Sequence, residues 1–410
     1  MRTKLFGTLL VMTVAAGLGQ GCALPTRLDA VPNEMTASAT IPGIPNARFW
    51  VGDNPADLIA AAGDGARRQQ AYLRSIGHTG PMPRASFLAV SGGGEDGAFG
   101  AGLLVGWTEA GDRPEFTLVT GISTGALTAP FAFLGPEYDD ELRAVYTDLT
   151  SADIFEPRRF TAALFNDAMT DTSPLRRTIA RYADEEMLRR ICEQYERGRF
   201  LLIATTNLDA RRPVIWNMGQ IACSGQPDAL DLFHSILVAS AAVPGAFPPV
   251  MIDVEVDGEP HQEMHVDGGA TAQVFVYPPA LDLGQMSEQQ GVVRDRSLYV
   301  IRNARLDPDW ASTRRSTMSI AGRAISSLIQ TQGVGDLYII YLIAERDGLD
   351  YNLAYIGDDF NVQLQEPFDQ HYMRALFDYG YERARNGYPW RDVPPGWETI
   401  MEAGTEEPSS

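Results

Sequence analysis

The stretch Gly121-Ile122-Ser123-Thr124-Gly125 has the pattern G-x-S-x-G and lies between two segments of different character. The apolar run Phe116–Thr120 precedes it and predicts a strand, whereas the small-residue segment that begins at Ala126 predicts a helix. In that context the motif forms a sharp strand-to-helix turn, the nucleophile elbow. The two glycines remove Cβ atoms around Ser123, whose hydroxyl then stands at a helix N-terminus that favours developing negative charge.

A glycine-rich loop follows the strand that comes before this motif. Ala85–Val90 predicts a buried strand, and it leads into Ser91-Gly92-Gly93-Gly94-Glu95-Asp96-Gly97. A helix is predicted from Ala98 to about Ala110, with Gly111 as its stop. Because sites in parallel sheets form at the carboxyl ends of strands, the glycines and Ser123 should open on one edge. Such a loop can aim several N–H groups at one point, as a tetrahedral oxyanion requires.

A third segment supplies a carboxylate. The short predicted strand at 264–266 leads into Asp267-Gly268-Gly269. A serine hydroxyl is a poor nucleophile at neutral pH and needs an adjacent base. Since two glycines follow Asp267, its carboxylate could approach Ser123 without steric cover.

Predicted strands and helices alternate along the chain. This alternation indicates an α/β sandwich with a largely parallel central sheet. The further strands are predicted at 199–206, 213–218 and 297–302. The further helices are predicted at 54–73, within 135–198, at 228–240, at 312–344 with breaks at Gly333 and Gly335, and at 369–386.

Four segments together resemble the patatin-like phospholipases. They are SGGGEDGAFGAG at 91–102, GISTG at 121–125, ASAAVPGAFPP at 239–249 and VDGG at 266–269. The resemblance covers residues 85 to about 303 and implies a three-layer α/β/α sandwich. It also implies a Ser-Asp dyad, in which Ser123 attacks an acyl carbonyl and Asp267 takes its proton and later activates water. Gly92, Gly93 and Gly94 would form the oxyanion hole. Substrates would be glycerophospholipids and related acyl esters, and no cofactor is implied.

One position departs from the family pattern. The family commonly has arginine or lysine where this chain has Asp96. A carboxylate that pointed into an oxyanion hole would oppose the charge that develops there. We therefore expect Asp96 to point to solvent.

Two other functional hypotheses fit parts of the sequence. Ser123, Asp267 and His371 have the order of an α/β-hydrolase triad, but His371 lies near the start of a predicted amphipathic helix, where a solvated or capping histidine is the simpler interpretation. A non-catalytic, surface-anchored binding protein on a hydrolase scaffold is the other hypothesis.

A metal site is considered and not predicted. His261, Glu263 and His265 alternate, so on a strand they would share one face. Nothing else in the sequence supplies further ligands. Cys192 and Cys223 could form a disulfide or remain buried thiols, and the sequence favours neither.

The first 21 residues have the pattern of an export signal. Arg2 and Lys4 precede a short apolar run, Leu5–Leu18, and the following Gly19-Gln20-Gly21-Cys22 resembles a bacterial lipobox. Lipidation of Cys22 is predicted, with ordinary cleavage near Gly21 as the alternative. The last helix also resembles bacterial lipoprotein members of the family. An exported, lipid-anchored protein is therefore expected, in a Gram-negative cell at the outer membrane.

The rest of the domain plan follows from composition. Residues 22–48 predict a lipidated tether, 49–83 a helical extension, 84–395 the catalytic domain and 396–410 a disordered tail. The formal net charge is −20, which argues against nucleic-acid binding and against electrostatic capture by anionic membranes. Membrane attachment is accordingly assigned to the lipid anchor. No oligomeric state is predicted.

Overall fold

The central sheet is made mainly of parallel strands, which the sequence marks by apolar runs. The computed structural model describes residues 27–52, 55–157, 170–307, 310 and 312–397. Its strands are β1 (Arg48–Trp50), β2 (Ala85–Val90), β3 (Phe116–Gly121), β4 (Glu156–Pro157), β5 (Thr170–Asp171), β6 (Phe200–Asn207), β7 (Arg212–Asn217), β8 (Val250–Val256), β9 (Glu259–Asp267), β10 (Arg296–Arg305) and β11 (Leu349–Ile356).

The strand order brings the predicted functional loops to one edge. The main path through the sheet is β1-β7-β6-β3-β2-β10-β11, and the run from β6 to β11 is parallel. Val90 pairs with Gly121, so the glycine loop and the elbow leave neighbouring strands at the same level. β9 lies antiparallel to β6, with Asp267 opposite Thr205. The carboxyl end of β9 therefore also reaches this edge.

Helices cover both faces of the sheet. They are α1 (Ala56–Ser75), α2 (Gly97–Ala110), α3 (Thr124–Leu134), α4 (Asp139–Thr147), α5 (Ser151–Ile154), α6 (Ser173–Tyr182), α7 (Glu185–Glu196), α8 (Met218–Ala222), α9 (Ala229–Ser240), α10 (Leu283–Gln290), α11 (Thr317–Asp347) and α12 (Gln370–Arg385).

Two hydrophobic cores lie between these helices and the sheet. On one face Val119 packs in a cluster with Phe99 of α2 and Phe377 of α12. On the other face Leu298 shares a cluster with Leu58 of α1 and Leu337 of α11. Because side chains of a strand alternate between faces, the continuous apolar runs of β2 and β3 serve both cores. The expected three-layer α/β/α sandwich with a largely parallel sheet is confirmed.

The predicted tether at 22–48 is wrong for residues 27–48. Thr40 makes a bridge with Glu255, Ile41 and Ile44 are buried, and Arg48 begins β1, which pairs with β7. The segment buries single apolar side chains without a repeat, so its sequence shows no period. The signal segment, Cys22, Asn54 at the start of the helix predicted at 54–73, and residues 398–410 lie outside the described residues.

The predicted breaks in α11 do not occur. The helix continues from Thr317 to Asp347, and Gly333 allows a neighbouring side chain to pack closely instead of ending the helix. A Cβ on Gly333 would lie 2.1 Å from Nη1 of the buried Arg302. β8 and β11 were not predicted, although the alternation of their polar and apolar residues is typical of half-exposed strands.

A disulfide joins Cys192 of α7 to Cys223, which follows α8. This pairing resolves the question that the sequence left open. In the part of the chain that the structure describes, no helix is both long and apolar enough to span a bilayer.

Candidate active site

Ser123 occupies the turn between β3 and α3 with an unusual backbone. Its φ is 55° and its ψ is −126°, a conformation that a residue with a Cβ adopts only at a cost of about 1–3 kcal/mol. The flanking glycines permit this turn. A Cβ on Gly121 would lie 2.4 Å from the Gly125 carbonyl oxygen, and one on Gly125 would lie 2.3 Å from the Val90 carbonyl oxygen.

Ser123 and Asp267 form a buried pair. The serine Oγ donates a hydrogen bond of 2.7 Å to Asp267 Oδ2, while Asp267 Oδ1 accepts one of 2.7 Å from the Gly269 N–H. Burial raises the pKa of the Asp267 carboxyl to about 6, against the opposing effect of these two hydrogen bonds. At neutral pH the carboxylate is ionised and still basic enough to accept a proton, as a general base requires.

Ser240 at the end of α9 holds the elbow in place. Its Oγ accepts a hydrogen bond of 3.1 Å from the Ser123 N–H and donates one of 2.7 Å to the Ala204 carbonyl oxygen. It thereby connects the elbow to β6, which also pairs with the strand that carries Asp267. In the sequence analysis, Ser240 appears only as part of the small-residue segment at 239–249.

The glycine loop offers fewer donors than predicted. The Gly92 N–H donates to the Gln273 carbonyl oxygen at 3.0 Å, so the prediction that it serves an oxyanion hole is wrong. Within the described residues, the N–H groups of Gly93, Gly94 and Thr124 have no protein acceptor. Gly92 instead packs against the nucleophile, since a Cβ added to Gly92 would lie 3.1 Å from the Cβ of Ser123.

Asn303, at the carboxyl end of β10, fixes the start of the glycine loop. Its N–H donates to Ser91 Oγ at 2.8 Å, and its Nδ2 donates to the Ser91 carbonyl oxygen at 2.9 Å. Its own Oδ1 accepts from the Gly100 N–H at 3.0 Å. The predicted strand ended at residue 302, and nothing local in the sequence marked Asn303.

Asp96 does not point freely to solvent, which corrects our expectation. The residue is half-buried, and its Oδ1 accepts a hydrogen bond of 2.6 Å from the Tyr372 hydroxyl of α12. Burial raises its pKa to about 7, with the Tyr372 hydrogen bond acting in the opposite direction. Charge on this carboxyl, two residues from Gly94, therefore changes near neutral pH.

A pocket lined mainly by apolar side chains begins beside the elbow. Gly94 and Thr124 stand among its lining residues, so it adjoins the unpaired N–H groups. Its walls are hydrophobic side chains from α3, α4, α6, α9 and α12, among them Leu127, Phe131, Tyr146, Ile179, Leu237 and Met373.

The other sequence candidates lie elsewhere. His371 is exposed at the start of α12, where its N–H donates to Asp369, and the side-chain partners of Asp267 are Ser123 and Gly269. The structure therefore does not bring the triad together. Glu263 and His265 do share a face with His261, but they form a buried network with Arg48. Among the described residues, no three His, Cys, Asp or Glu side chains are grouped as metal ligands.

The fold and the site define a three-layer α/β protein with a buried serine–carboxylate pair at the carboxyl edge of its sheet. Residues 88–279 match the family model described as patatin-like phospholipase, and the chain thus contains a domain of this family. The matched region includes the glycine loop, the elbow and Asp267. This assignment supports a lipid acyl hydrolase.

Three solved structures resemble the chain at low identity. VipD from Legionella pneumophila shares 11% identity, with a TM-score of 0.32 and coverage of 75% of this chain and 67% of that chain. Full-length ExoU of Pseudomonas aeruginosa, solved with SpcU, shares 14% identity, with a TM-score of 0.29 and coverage of 75% of this chain and 52% of that chain. Human GIVD cytosolic phospholipase A2 shares 10% identity, with a TM-score of 0.31 and coverage of 80% of this chain and 56% of that chain. The chain thus spans about half the length of the last two. No curated protein matches it by sequence.

Proposed function

We propose that this protein is a lipid acyl hydrolase of the phospholipase A type, with Ser123 as nucleophile and Asp267 as base. The observation that carries the proposal is the buried 2.7 Å hydrogen bond from Ser123 Oγ to a carboxylate whose pKa is raised to about 6. Such a pair needs no histidine, because Asp267 itself can accept the serine proton.

The proposed reaction has two halves. Ser123 Oγ attacks the acyl carbonyl carbon while its proton passes to Asp267 Oδ2, and the oxyanion forms near the N–H groups of Gly93, Gly94 and Thr124. Collapse of this intermediate releases the alcohol, which takes the proton from Asp267. Water then attacks the acyl-enzyme, Asp267 accepts a proton from that water, and collapse returns this proton to Ser123 Oγ as the fatty acid leaves.

The cavity beside the elbow supports an acyl substrate. Its hydrophobic walls suit a hydrocarbon chain, and Gly94 and Thr124 are among its lining residues, so the carboxyl end of a bound acyl chain would lie near the unpaired N–H groups. We infer that the acyl chain of the ester to be cleaved lies in this cavity and that the head group lies outside it.

Hydrolysis of a defined phospholipid panel by purified protein tests this function. Released fatty acid should be detected with the wild type and be absent with Ser123→Ala, and a fluorophosphonate probe should label only the former. His371→Ala is the matched control and should retain most activity. Labelling of a serine other than Ser123 would contradict the assignment, and loss of activity in a folded His371→Ala would favour the triad enzyme.

We also propose that the protein is exported and anchored through a lipid on Cys22, at the outer membrane of a Gram-negative cell. The apolar segment and the lipobox-like residues before Cys22 support this location. Fractionation of wild type and Cys22→Ser tests it. Unmodified wild type in the soluble fraction would refute the anchor and leave the hydrolase proposal standing.

A further inference from the structure

The amino-terminal half of α11 exposes a group of large apolar side chains. Ile325 is 56% exposed and Leu328 is 69% exposed, with Ile320 and Ile329 also exposed nearby. Trp310, which precedes the helix, is 87% exposed. Monomeric soluble proteins seldom expose so many large apolar side chains on neighbouring turns, and such groups mark interaction surfaces.

The charge of this segment is opposite to that of the whole chain. Residues 310–335 contain three arginines, Arg314, Arg315 and Arg323, and no aspartate or glutamate, with Asp307 and Asp309 before this stretch and Asp336 after it, although the chain has a formal net charge of −20. Arg314 and Arg315 are exposed. Because exposed charges are screened over about 8 Å at physiological salt, a nearby surface responds to this local charge more than to the total. The total charge, used above to exclude electrostatic membrane capture, does not describe this surface.

The central part of α11 touches the catalytic loops. Asp336 Oδ2 accepts a hydrogen bond of 2.6 Å from the N–H of Gln273, whose carbonyl oxygen in turn binds the Gly92 N–H. Gln330 Nε2 donates to the carbonyl oxygen of Arg305, at the carboxyl end of β10. From this point the exposed residues of α11 extend away from the core, at the edge of the sheet where Ser123 stands. The exposed part of the helix from Thr317 to Ile329, about 13 residues, spans about 20 Å.

We propose that the exposed half of α11, with Trp310 and the preceding arginines, docks on the surface of an anionic phospholipid bilayer. This inference rests on the proposed function, because it names the surface from which the active site takes its substrate. Apolar side chains would enter the boundary between head groups and acyl chains, while the arginines contact lipid phosphates. The site at the foot of the helix would then face the bilayer.

Vesicle sedimentation measures this docking apart from catalysis. Every sample carries Cys22→Ser and Ser123→Ala, so that neither lipidation nor hydrolysis contributes. The parent protein should bind vesicles of phosphatidylcholine with about 30% phosphatidylglycerol more tightly than vesicles of phosphatidylcholine alone, and added salt should weaken this binding. Arg314→Gln with Arg315→Gln should lower the partition coefficient about twenty-five-fold, at about fivefold per arginine. Ile325→Ser, Leu328→Ser and Ile329→Ser together should lower it by about tenfold or more on both vesicles.

Matched controls change equally exposed residues elsewhere. Arg74→Gln with Arg211→Gln, and Ile76→Ser with Val293→Ser, should leave binding within about twofold of the parent. With Ser123 intact, the ratio of vesicle hydrolysis to hydrolysis of a soluble short-chain ester should fall in the α11 variants only. Equal losses in α11 and control variants would overturn the proposal, as would a dimer that the α11 substitutions dissociate. A protein without esterase activity that still binds anionic vesicles through α11 would refute the hydrolase and leave the docking intact.

Discussion

The carbonyl oxygen of Asn303 occupies the space beside Gly93, 2.2 Å from the position that a Cβ on this glycine would take. This contact joins backbone to backbone, so neither side can relieve it by turning a side chain. Asn303 lies in β10, and its backbone N–H and its side-chain Nδ2 both donate to Ser91. The glycine loop cannot move away from this contact without losing those hydrogen bonds. Its path past Ser123 is therefore fixed by a strand that follows in the chain only after the whole catalytic set.

Gly93→Ala should abolish most activity by displacing this loop. We expect kcat to fall by about 10²–10³-fold, the effect of losing one oxyanion donor. The control is Gly63→Ala in α1, where the new Cβ would meet only a side-chain atom of Arg67 at 3.6 Å. Steady-state hydrolysis of a soluble ester provides the measurement, with circular dichroism to establish folding. Full activity in Gly93→Ala would show that this loop takes no part in the reaction.

The pH profile of kcat/KM should be bell-shaped. Below the raised pKa of about 6, Asp267 holds a proton and cannot act as base, so activity should fall about tenfold per pH unit. Above about 7, ionised Asp96 places negative charge close to the developing oxyanion, and activity should fall several-fold. Asp267→Asn should reduce the rate by about three to four orders of magnitude. Asp96→Asn should keep the acid limb and lose the alkaline one. A flat profile from pH 5 to 9 would argue against both roles.

Tyr372→Phe should move only the alkaline limb. The tyrosine hydroxyl stabilises the charged form of Asp96, so its removal should raise the Asp96 pKa further above 7. The protonated, harmless form would then persist to higher pH. The expected result is a limb displaced upward, with the acid limb unchanged, in the same kinetic assay. A downward displacement would mean that another group governs the alkaline limb.

The buried pair between Arg48 and Glu263 should matter for stability. Burial alone would raise the Glu263 pKa, but the hydrogen bond with His265, together with the charge and hydrogen bonds of Arg48, outweighs it and lowers the pKa to about 2. This stabilisation is fully present above the ordinary glutamate pKa near 4.5 and is lost as pH falls towards 2. Arg48→Met would leave the buried Glu263 carboxylate without its charged partner and should lower the free energy of unfolding by about 3–5 kcal/mol.

Urea unfolding at pH 7 and pH 4 measures this effect, with an exposed ion pair as control. Arg84 and Asp350 are 53% and 64% exposed, so Arg84→Met should change the free energy of unfolding by about 1 kcal/mol or less. An equally small change for Arg48→Met would show that residues 27–50 contribute little to the fold.

Local patterns in the sequence predicted the elements that depend on neighbouring residues. The β2 and β3 runs, the elbow glycines and Asp267 before two glycines each combine a strand with a turn whose composition is specific. The contacts that complete the site lie far apart in the chain. Ser240 binds a residue 117 positions away, and Asn303 binds one 212 positions away. Contacts between residues so far apart leave no periodic pattern in the sequence from which they could be predicted.

Two wrong predictions have the same physical origin. Gly92 was expected to donate to an oxyanion because its acceptor, the Gln273 carbonyl oxygen, comes from a loop whose path only tertiary packing defines. Residues 27–48 were expected to be a tether because their burial is achieved through scattered contacts with β7, β8 and β9. Composition cannot distinguish an irregular segment that packs from one that does not.

The order of residues 27–50 limits how far the folded body could stand from a membrane. Arg27 already forms an ion pair of 2.9 Å with Asp209, and the Leu28 N–H binds Gln262. Only positions 23–26 separate Arg27 from Cys22, and a fully extended chain over that interval reaches about 18 Å at most. A lipid on Cys22 would therefore hold the folded domain close to the membrane through a short linker. The domain could rotate about this linker but could not cross the periplasm, so it would meet the lipids of its own leaflet and few others.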